Sequence, residues 1–361
     1  MTKTRIGKIP NPVLPRQLFG HPNSTHATLA EGRTPRMRYA LAMRYVVLGA
    51  GAVGGCIGYQ LAEAGHNVLL IARGDHGAVI SERGLTLREP TKEGTRPFAC
   101  LPSAQEYEYL PGDLLILCVK SQDVSSALAL VDPRVPVYCA QNGASAEQLA
   151  AHRFEEVYGM MVWLPALHLE PGLIQTYAEQ PAGAFRIGRY PRGMDQRCEL
   201  FARDLRSAGF DAQVVANIQR WKHGKLLLNL ANSIDAFAIP DVGFHAIQRR
   251  AIGEAQACLQ ASGLECMSSH ELREKMDEIV SCHGAKGAAP RPGGSTWQSV
   301  MRGKSTETEF INGWICELGD RVGVHTPANG ALMRMAEKAQ SPRSISIDEV
   351  RHWVLEEDLG R

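Results

Sequence analysis

Three groups of residues have types and spacings that could do chemistry. Gly49-Ala50-Gly51-Ala52-Val53-Gly54 follows the apolar run Tyr45-Val46-Val47-Leu48 and reads as GxGxxG. Between a strand and a helix, glycine at these three places permits a tight turn. It also lets a dinucleotide's pyrophosphate approach backbone N–H groups at the positive end of the helix. In the second group, Lys225 and Asn229 lie four residues apart on one helical face, which Asn232 and Ser233 continue. A lysine there could protonate a carbonyl oxygen while hydride reaches its carbon, with the amides orienting the substrate. On spacing alone, a lysine snorkelling to solvent beside capping or exposed asparagines is the better account. The third group is Ser295 and Glu307, twelve residues apart. Ser295 with Gln298, and Thr306 with Glu309, have the spacing of helix capping boxes, and Glu307 could serve a helix dipole, so structural roles are open here too.

These groups need elements to hold them. Tyr45 to Leu48 reads as a buried parallel strand, followed by a helical stretch to about Ala64, Gly65 as its stop, and Val68-Leu69-Leu70-Ile71 as a second strand. The unit is β-α-β, and apolar runs at Leu114 to Val119 and Val135 to Ala140 extend it to a doubly wound sheet. The second strand runs into Arg73, where an enzyme using NAD would carry an acid for the ribose 2′-hydroxyl. An arginine there can pair with a 2′-phosphate, which favours NADP(H), with His76 assisting. A solvated surface arginine is the structural alternative. Beyond residue 216 the pattern turns helical, at Trp221 to Ala238, Ile247 to Ala261, His270 to Val280 and Thr306 to Val322, interrupted by a Gly- and Pro-rich stretch at 284–294 that reads as a mobile loop. The expected organisation is a disordered extension over residues 1–42, with Met43 as a candidate start, an NADP-binding Rossmann domain over 43–216, and a helical substrate and catalytic domain over 217–361.

Composition narrows the classes. The 361 residues carry 39 Lys and Arg against 38 Asp and Glu, so no net field draws in nucleic acid or an anionic membrane, and a small-molecule partner is favoured. No apolar run approaches the roughly 20 residues that span a bilayer. The nine cysteines show no CxxC spacing, which argues against a disulfide framework or zinc site and for a reducing compartment, the cytoplasm by default. His168, His223, His270, His283 and His325 lack metal spacing and read as structural, no metal is expected, and no serine sits in a GxSxG elbow.

Taken together, the GxGxxG, Val119-Lys120, the Gln141-Asn142-Gly143 turn, Lys225-Leu-x-x-Asn229 and Ser295 twelve residues before Glu307 resemble the ketopantoate reductase (2-dehydropantoate 2-reductase) family, in the right order over nearly all of residues 44 to 340. The resemblance implies a Rossmann-type α/β domain plus a mainly α-helical C-terminal domain of the 6-phosphogluconate dehydrogenase-like kind. It also implies NADPH-dependent reduction of a 2-oxo acid such as ketopantoate to a 2-hydroxy acid such as pantoate. By the same resemblance Lys225 would be the general acid, Asn229 would orient substrate with Ser233 nearby, and Ser295 would bind the carboxylate end. Glu307 would hold a substrate hydroxyl and Lys225, while Lys120 and Asn142 would line the cleft near the nicotinamide. Two departures stand out: Ser233 replaces the family's second asparagine, with Asn232 one place earlier, and Met160-Met161-Val162-Trp163-Leu164-Pro165 is bulky where relatives often carry smaller polar groups. These features suit a larger or more apolar 2-oxo acid. Two rivals remain: an NADP-dependent dehydrogenase for another 2-oxo or 2-hydroxy acid, and an NADP-binding sensor without catalysis. A homodimer is compatible with the sequence.

Overall fold

Successive residues of the first strand face two different cores, as a strand buried on both sides requires. Tyr45 and Val47 pack into one core, and Val46 and Leu48 into the other. The computed structural model describes residues 43–168, 170–281, 293–339 and 341–359. The expected disorder of residues 1–42 and the expected loop, apart from Gly293 and Gly294, lie outside the described residues.

The strands are β1 (Arg44–Leu48), β2 (Asn67–Ile71), β3 (Leu85–Arg88), β4 (Glu93–Arg96), β5 (Ala99–Leu101), β6 (Asp113–Leu117), β7 (Val137–Cys139), β8 (Val157–Trp163), β9 (Ala166–Leu167), β10 (Leu173–Thr176), β11 (Ala184–Arg189) and β12 (Asp211–Val214). Eight of them form one sheet in the order β12-β11-β8-β7-β6-β1-β2-β5, and every neighbouring pair is parallel except β8 with β11. The chain builds β2 and β5 on one side of β1, then returns to lay β6, β7 and β8 on the other. The crevice beyond the carboxyl ends of β1 and β6 is therefore a topological switch point, where doubly wound sheets bind ligands. A second sheet, β4-β3-β10-β9, was not foreseen from the sequence.

The helices are α1 (Ala52–Glu63), α2 (Gly74–Arg83), α3 (Val124–Ala129), α4 (Ala146–Ala151), α5 (Gln196–Ser207), α6 (Ile218–Asn229), α7 (Asn232–Phe237), α8 (Phe244–Ala261), α9 (Ser269–Asp277), α10 (Ser295–Met301), α11 (Trp314–Val322), α12 (Pro327–Lys338) and α13 (Ile347–Leu359). The helical stretch read as Trp221 to Ala238 is thus two helices, broken at Leu230 and Ala231. The stretch from Thr306 starts late, with a π-helical turn at Glu309–Gly313 leading into α11. Two apolar clusters join the sheet to the helices. Ala144 packs with Leu226, Leu227 and Leu230, and Met161 packs with Ile218, Met267 and Leu272. Those contacts seat α6 against β8 and β11 and the loop that follows β7. No helix among the described residues is long and apolar enough to cross a membrane.

Candidate functional site

The three glycines of the loop after β1 do different work. Gly49 adopts φ of 100°, and a Cβ on it would lie 2.8 Å from Val119 N. A Cβ on Gly54 would fall 2.2 Å from the Gly49 carbonyl oxygen, so this glycine is needed for the helix to pack against the turn. A Cβ on Gly51 would meet nothing nearer than His168 Nδ1 at 3.8 Å; its missing side chain leaves the crevice open. Gly51 is also the N-cap of α1, with no side-chain cap and no acid in the first turn. The uncapped N–H groups and the positive helix end form a cradle for an anion, and that is the observation on which a dinucleotide fits this chain.

Two residues past β2, Arg73 is the N-cap of α2 and forms an exposed ion pair with Asp123 at 2.7 Å. Such exposed pairs contribute roughly 0–1 kcal/mol, so a cofactor phosphate could displace the carboxylate at little cost. His76, expected to help there, instead lies beneath the glycine loop. It accepts from Gly172 N–H at Nδ1 (2.8 Å) and is bonded through Nε2 to the Ala50 carbonyl (2.7 Å).

At the carboxyl ends of β6 and β7, Gln141 Nε2 donates to the carbonyls of Leu117 (2.8 Å) and Val119 (3.0 Å), which locks the two strand ends together. Lys120 and Asn142 flank this clamp. Lys120 Nζ donates to Ser299 Oγ and to the Ser305 carbonyl, and burial pushes its pKa down while Glu307 opposes the shift. Glu307 Oε1 accepts from the backbone N–H (2.9 Å) and hydroxyl (2.7 Å) of Ser121, so this carboxylate caps the short turn that follows Lys120. The capping boxes read around it do not form. Gly294, not Ser295, is the N-cap of α10, and Thr306 Oγ1 meets Thr308 Oγ1 at 3.1 Å.

On α6, Lys225 Nζ sits 4.1 Å from the centroid of the Trp163 ring, a cation–π contact that holds the ammonium at the end of β8. One turn on, the Asn229 amide is buried and its Nδ2 has no hydrogen-bond partner. Three residues before Lys225, Lys222 is ion-paired with Glu147 of α4, both fully buried, which ties α6 to α4. Burial raises the Glu147 pKa and Lys222 opposes it.

Lys225, Asn229, Ser295, Glu307, Lys120 and Asn142 line one cavity of about 580 Å³ that reaches Gly51, Ala52 and Val53. Ser233 is not among its walls: it is 1% exposed, with Oγ 3.4 Å from Thr308 Oγ1. The break between α6 and α7 restarts the helical register, so Asn232 lines the cavity in its place. Of the bulky segment, Val162, Trp163 and Leu164 form cavity wall while Met160 and Met161 are core. Sequence reasoning missed His168, Asp235, Arg273 and Arg302. Arg302 follows Ser295 by seven residues, two helical turns, and that spacing could have found it. His168 offers no local signal, because the small sheet places it.

Comparison with known proteins follows the same lines. The family model described as ketopantoate reductase PanE/ApbA matches residues 45–192, and its C-terminal counterpart matches residues 217–340. A 2-dehydropantoate 2-reductase from Pyrococcus horikoshii is 30% identical over 314 residues, covering 83% of this chain and 98% of the relative. A solved PanE/ApbA family ketopantoate reductase from Ralstonia eutropha JMP134 superposes with a TM-score of 0.69 at 25% identity, over 88% of this chain and all of that one. D-mandelate dehydrogenase, solved with NADH and anilino(oxo)acetate, has a TM-score of 0.68 at 22% identity, over 86% of this chain and 99% of that one, and so shares the fold.

Proposed function

The chain belongs to the ketopantoate reductase PanE/ApbA family, whose members are oxidoreductases acting on CH–OH groups, and we propose that it uses NADPH to reduce a 2-oxo acid, 2-dehydropantoate in the first instance, to the 2-hydroxy acid. The observation that carries this reading is a single cavity holding the Lys225 ammonium, the unpartnered Asn229 amide and the uncapped N-terminus of α1.

The nicotinamide, when bound, supplies the hydride. Lys225 donates a proton from Nζ to the C2 oxygen, where negative charge develops, and the ammonium stabilises that charge before neutralising it. The face of Trp163 fixes the donor's position. Asn229 Nδ2 donates to a substrate oxygen, which gives a buried amide the partner it lacks. Ser295 Oγ takes the carboxylate end, and Glu307 accepts from a substrate hydroxyl. Lys120 and Asn142 shape the nicotinamide end of the crevice, and Arg73 pairs with the 2′-phosphate in exchange for Asp123. A second reading, a larger and more apolar 2-oxo acid in place of 2-dehydropantoate, draws on the Val162, Trp163 and Leu164 wall.

The test is cofactor oxidation by the purified protein, with NADPH and NADH each paired with 2-dehydropantoate and with a panel of aliphatic and aromatic 2-oxo acids. Turnover of 2-dehydropantoate with NADPH is the expected result, and turnover only of another acid moves the assignment to the second reading. Tight dinucleotide binding with no turnover of any oxo acid would leave a nucleotide sensor and refute the reductase.

A further inference from the structure

We propose that His168 and Arg302 complete the anion site at the N-terminus of α1, with His168 donating from Nδ1 to the diphosphate of the nicotinamide dinucleotide. The proposal rests on the dinucleotide reading above and names residues outside the glycine loop that hold the diphosphate.

His168 is 4% exposed, and its Nδ1 is buried without a hydrogen-bond partner. That nitrogen lies 3.8 Å from where a Gly51 Cβ would stand, on the open side of the one loop glycine whose missing side chain relieves no clash. A buried polar nitrogen is rarely left unsatisfied, and one that is calls for an absent partner. The ring cannot swing away to find another. It packs on His76 with centroids 3.9 Å apart, and His76 is fixed by the Gly172 N–H and the Ala50 carbonyl. Because His76 Nδ1 accepts from Gly172, its Nε2 carries the proton given to Ala50, so His76 is a neutral support under the loop. The His168 backbone N–H donates to Gln298 Oε1 (3.3 Å), and Gln298 Nε2 donates to the Ala166 carbonyl (3.2 Å). These bonds dock α10 on β9.

Docked there, α10 carries Ser295 at its start and Arg302 at its C-cap over the glycine loop. Arg302 lines the same cavity as His168. Its charge adds to the burial that lowers both their pKa values, keeping His168, at about 3, neutral near pH 7. Among the described residues Arg302 has no salt bridge. A cation without a carboxylate among the described residues, a neutral ring with an unused nitrogen and an uncapped helix end line one cavity, and phosphate oxygens would satisfy each. The diphosphate is common to NADPH and NADH, so the contact serves both. It also couples cofactor to substrate, because the helix that brings Arg302 brings Ser295.

Dissociation constants for NADPH, NADH and inorganic diphosphate, measured by quenching of tryptophan fluorescence, test the proposal on the full chain, together with melting temperatures without ligand. His168→Phe keeps the ring and removes the nitrogen. It should weaken both dinucleotides by roughly ten- to a hundredfold, the worth of one hydrogen bond to a charged group. Its melting temperature should be unchanged or higher, because an unsatisfied atom has gone. His168→Asn, whose Nδ2 stands near the place of Nδ1, should recover most of the affinity, and Arg302→Gln should weaken both dinucleotides and inorganic diphosphate alike. Equal dinucleotide affinities in wild type and His168→Phe, or a loss confined to NADPH, would overturn the proposal. A wild-type protein that binds neither dinucleotide would overturn instead the cofactor reading beneath it.

Discussion

Replacing Gly54 or Gly51 by alanine adds the same methyl group at positions less than one helical turn apart. The Gly54 methyl would lie 2.2 Å from the Gly49 carbonyl oxygen, 2.8 Å from Val47 Cγ1 and 2.9 Å from Cys118 Cβ. The first obstacle is backbone and cannot rotate away, and Gly49 is itself wedged against Val119 and Cys118. Relief requires moving α1 off the sheet. Overpacking costs about 1–3 kcal/mol, and Gly54→Ala belongs at the upper end. At roughly 2–4 °C of melting temperature per kcal/mol, the variant should melt about 5–10 °C below wild type. Gly51 has φ of −71° and ψ of −156°, open to any residue, and its methyl would touch only His168 at 3.8 Å. Gly51→Ala should therefore melt with wild type or slightly above it, the alanine restricting the unfolded chain. Its methyl stands where the diphosphate must approach, so NADPH affinity should fall at least about tenfold. Differential scanning fluorimetry and a fluorescence titration read both numbers. A Gly51→Ala variant that binds NADPH as wild type does, or a Gly54→Ala variant that melts with it, would refute this division of labour.

The buried Lys222–Glu147 pair should behave as a strut between α6 and α4. Lys222→Met strands a fully buried carboxylate and should cost about 3–5 kcal/mol in urea unfolding, whereas adding Glu147→Leu should restore most of the loss. A single variant as stable as wild type would show that the pair carries no such role. Stability should also depend on pH through His168, with pKa about 3 when folded against about 6.5 unfolded. Between those values the unfolded chain binds more protons, so stability falls as pH falls below 6.5, by up to roughly 1.4 kcal/mol per unit. In His168→Phe the loss between pH 7 and 5 should be smaller than in wild type. Identical urea midpoint shifts in the two proteins would contradict the assignment.

The β-α-β unit was legible because its signals are local: an apolar strand, three glycines and a helix stop fall within one short stretch, and the structure places β1, α1 and β2 there. The small second sheet was not, since Glu93-Gly94-Thr95-Arg96 is short, polar and largely exposed, and the hairpin it forms with β3 is completed by the distant strands β10 and β9. The break at Leu230 and Ala231 escaped because no glycine or proline marks it. Leu226 to Ala238 reads as one helical stretch, whereas in the structure its second half packs against α10 and α12 as the separate helix α7. That single break moved the cavity-facing position from Ser233 to Asn232. Lys225 and Asn229 stood on one face as the spacing required, yet spacing alone preferred a surface lysine; the Trp163 contact and the buried amide are tertiary facts. His168 reads as structural in the sequence for want of metal spacing, and its unused nitrogen becomes visible only where β9 meets the glycine loop.

Kinetics of Lys225→Ala, with NADPH affinity measured beside them, test most directly the proposed delivery of the proton by Lys225. If the lysine is the general acid, turnover of the 2-oxo acid should fall roughly 10²- to 10⁴-fold while the NADPH dissociation constant stays within about twofold of wild type. Turnover close to that of wild type would contradict the account and return Lys225 to the role of a lysine resting on a tryptophan.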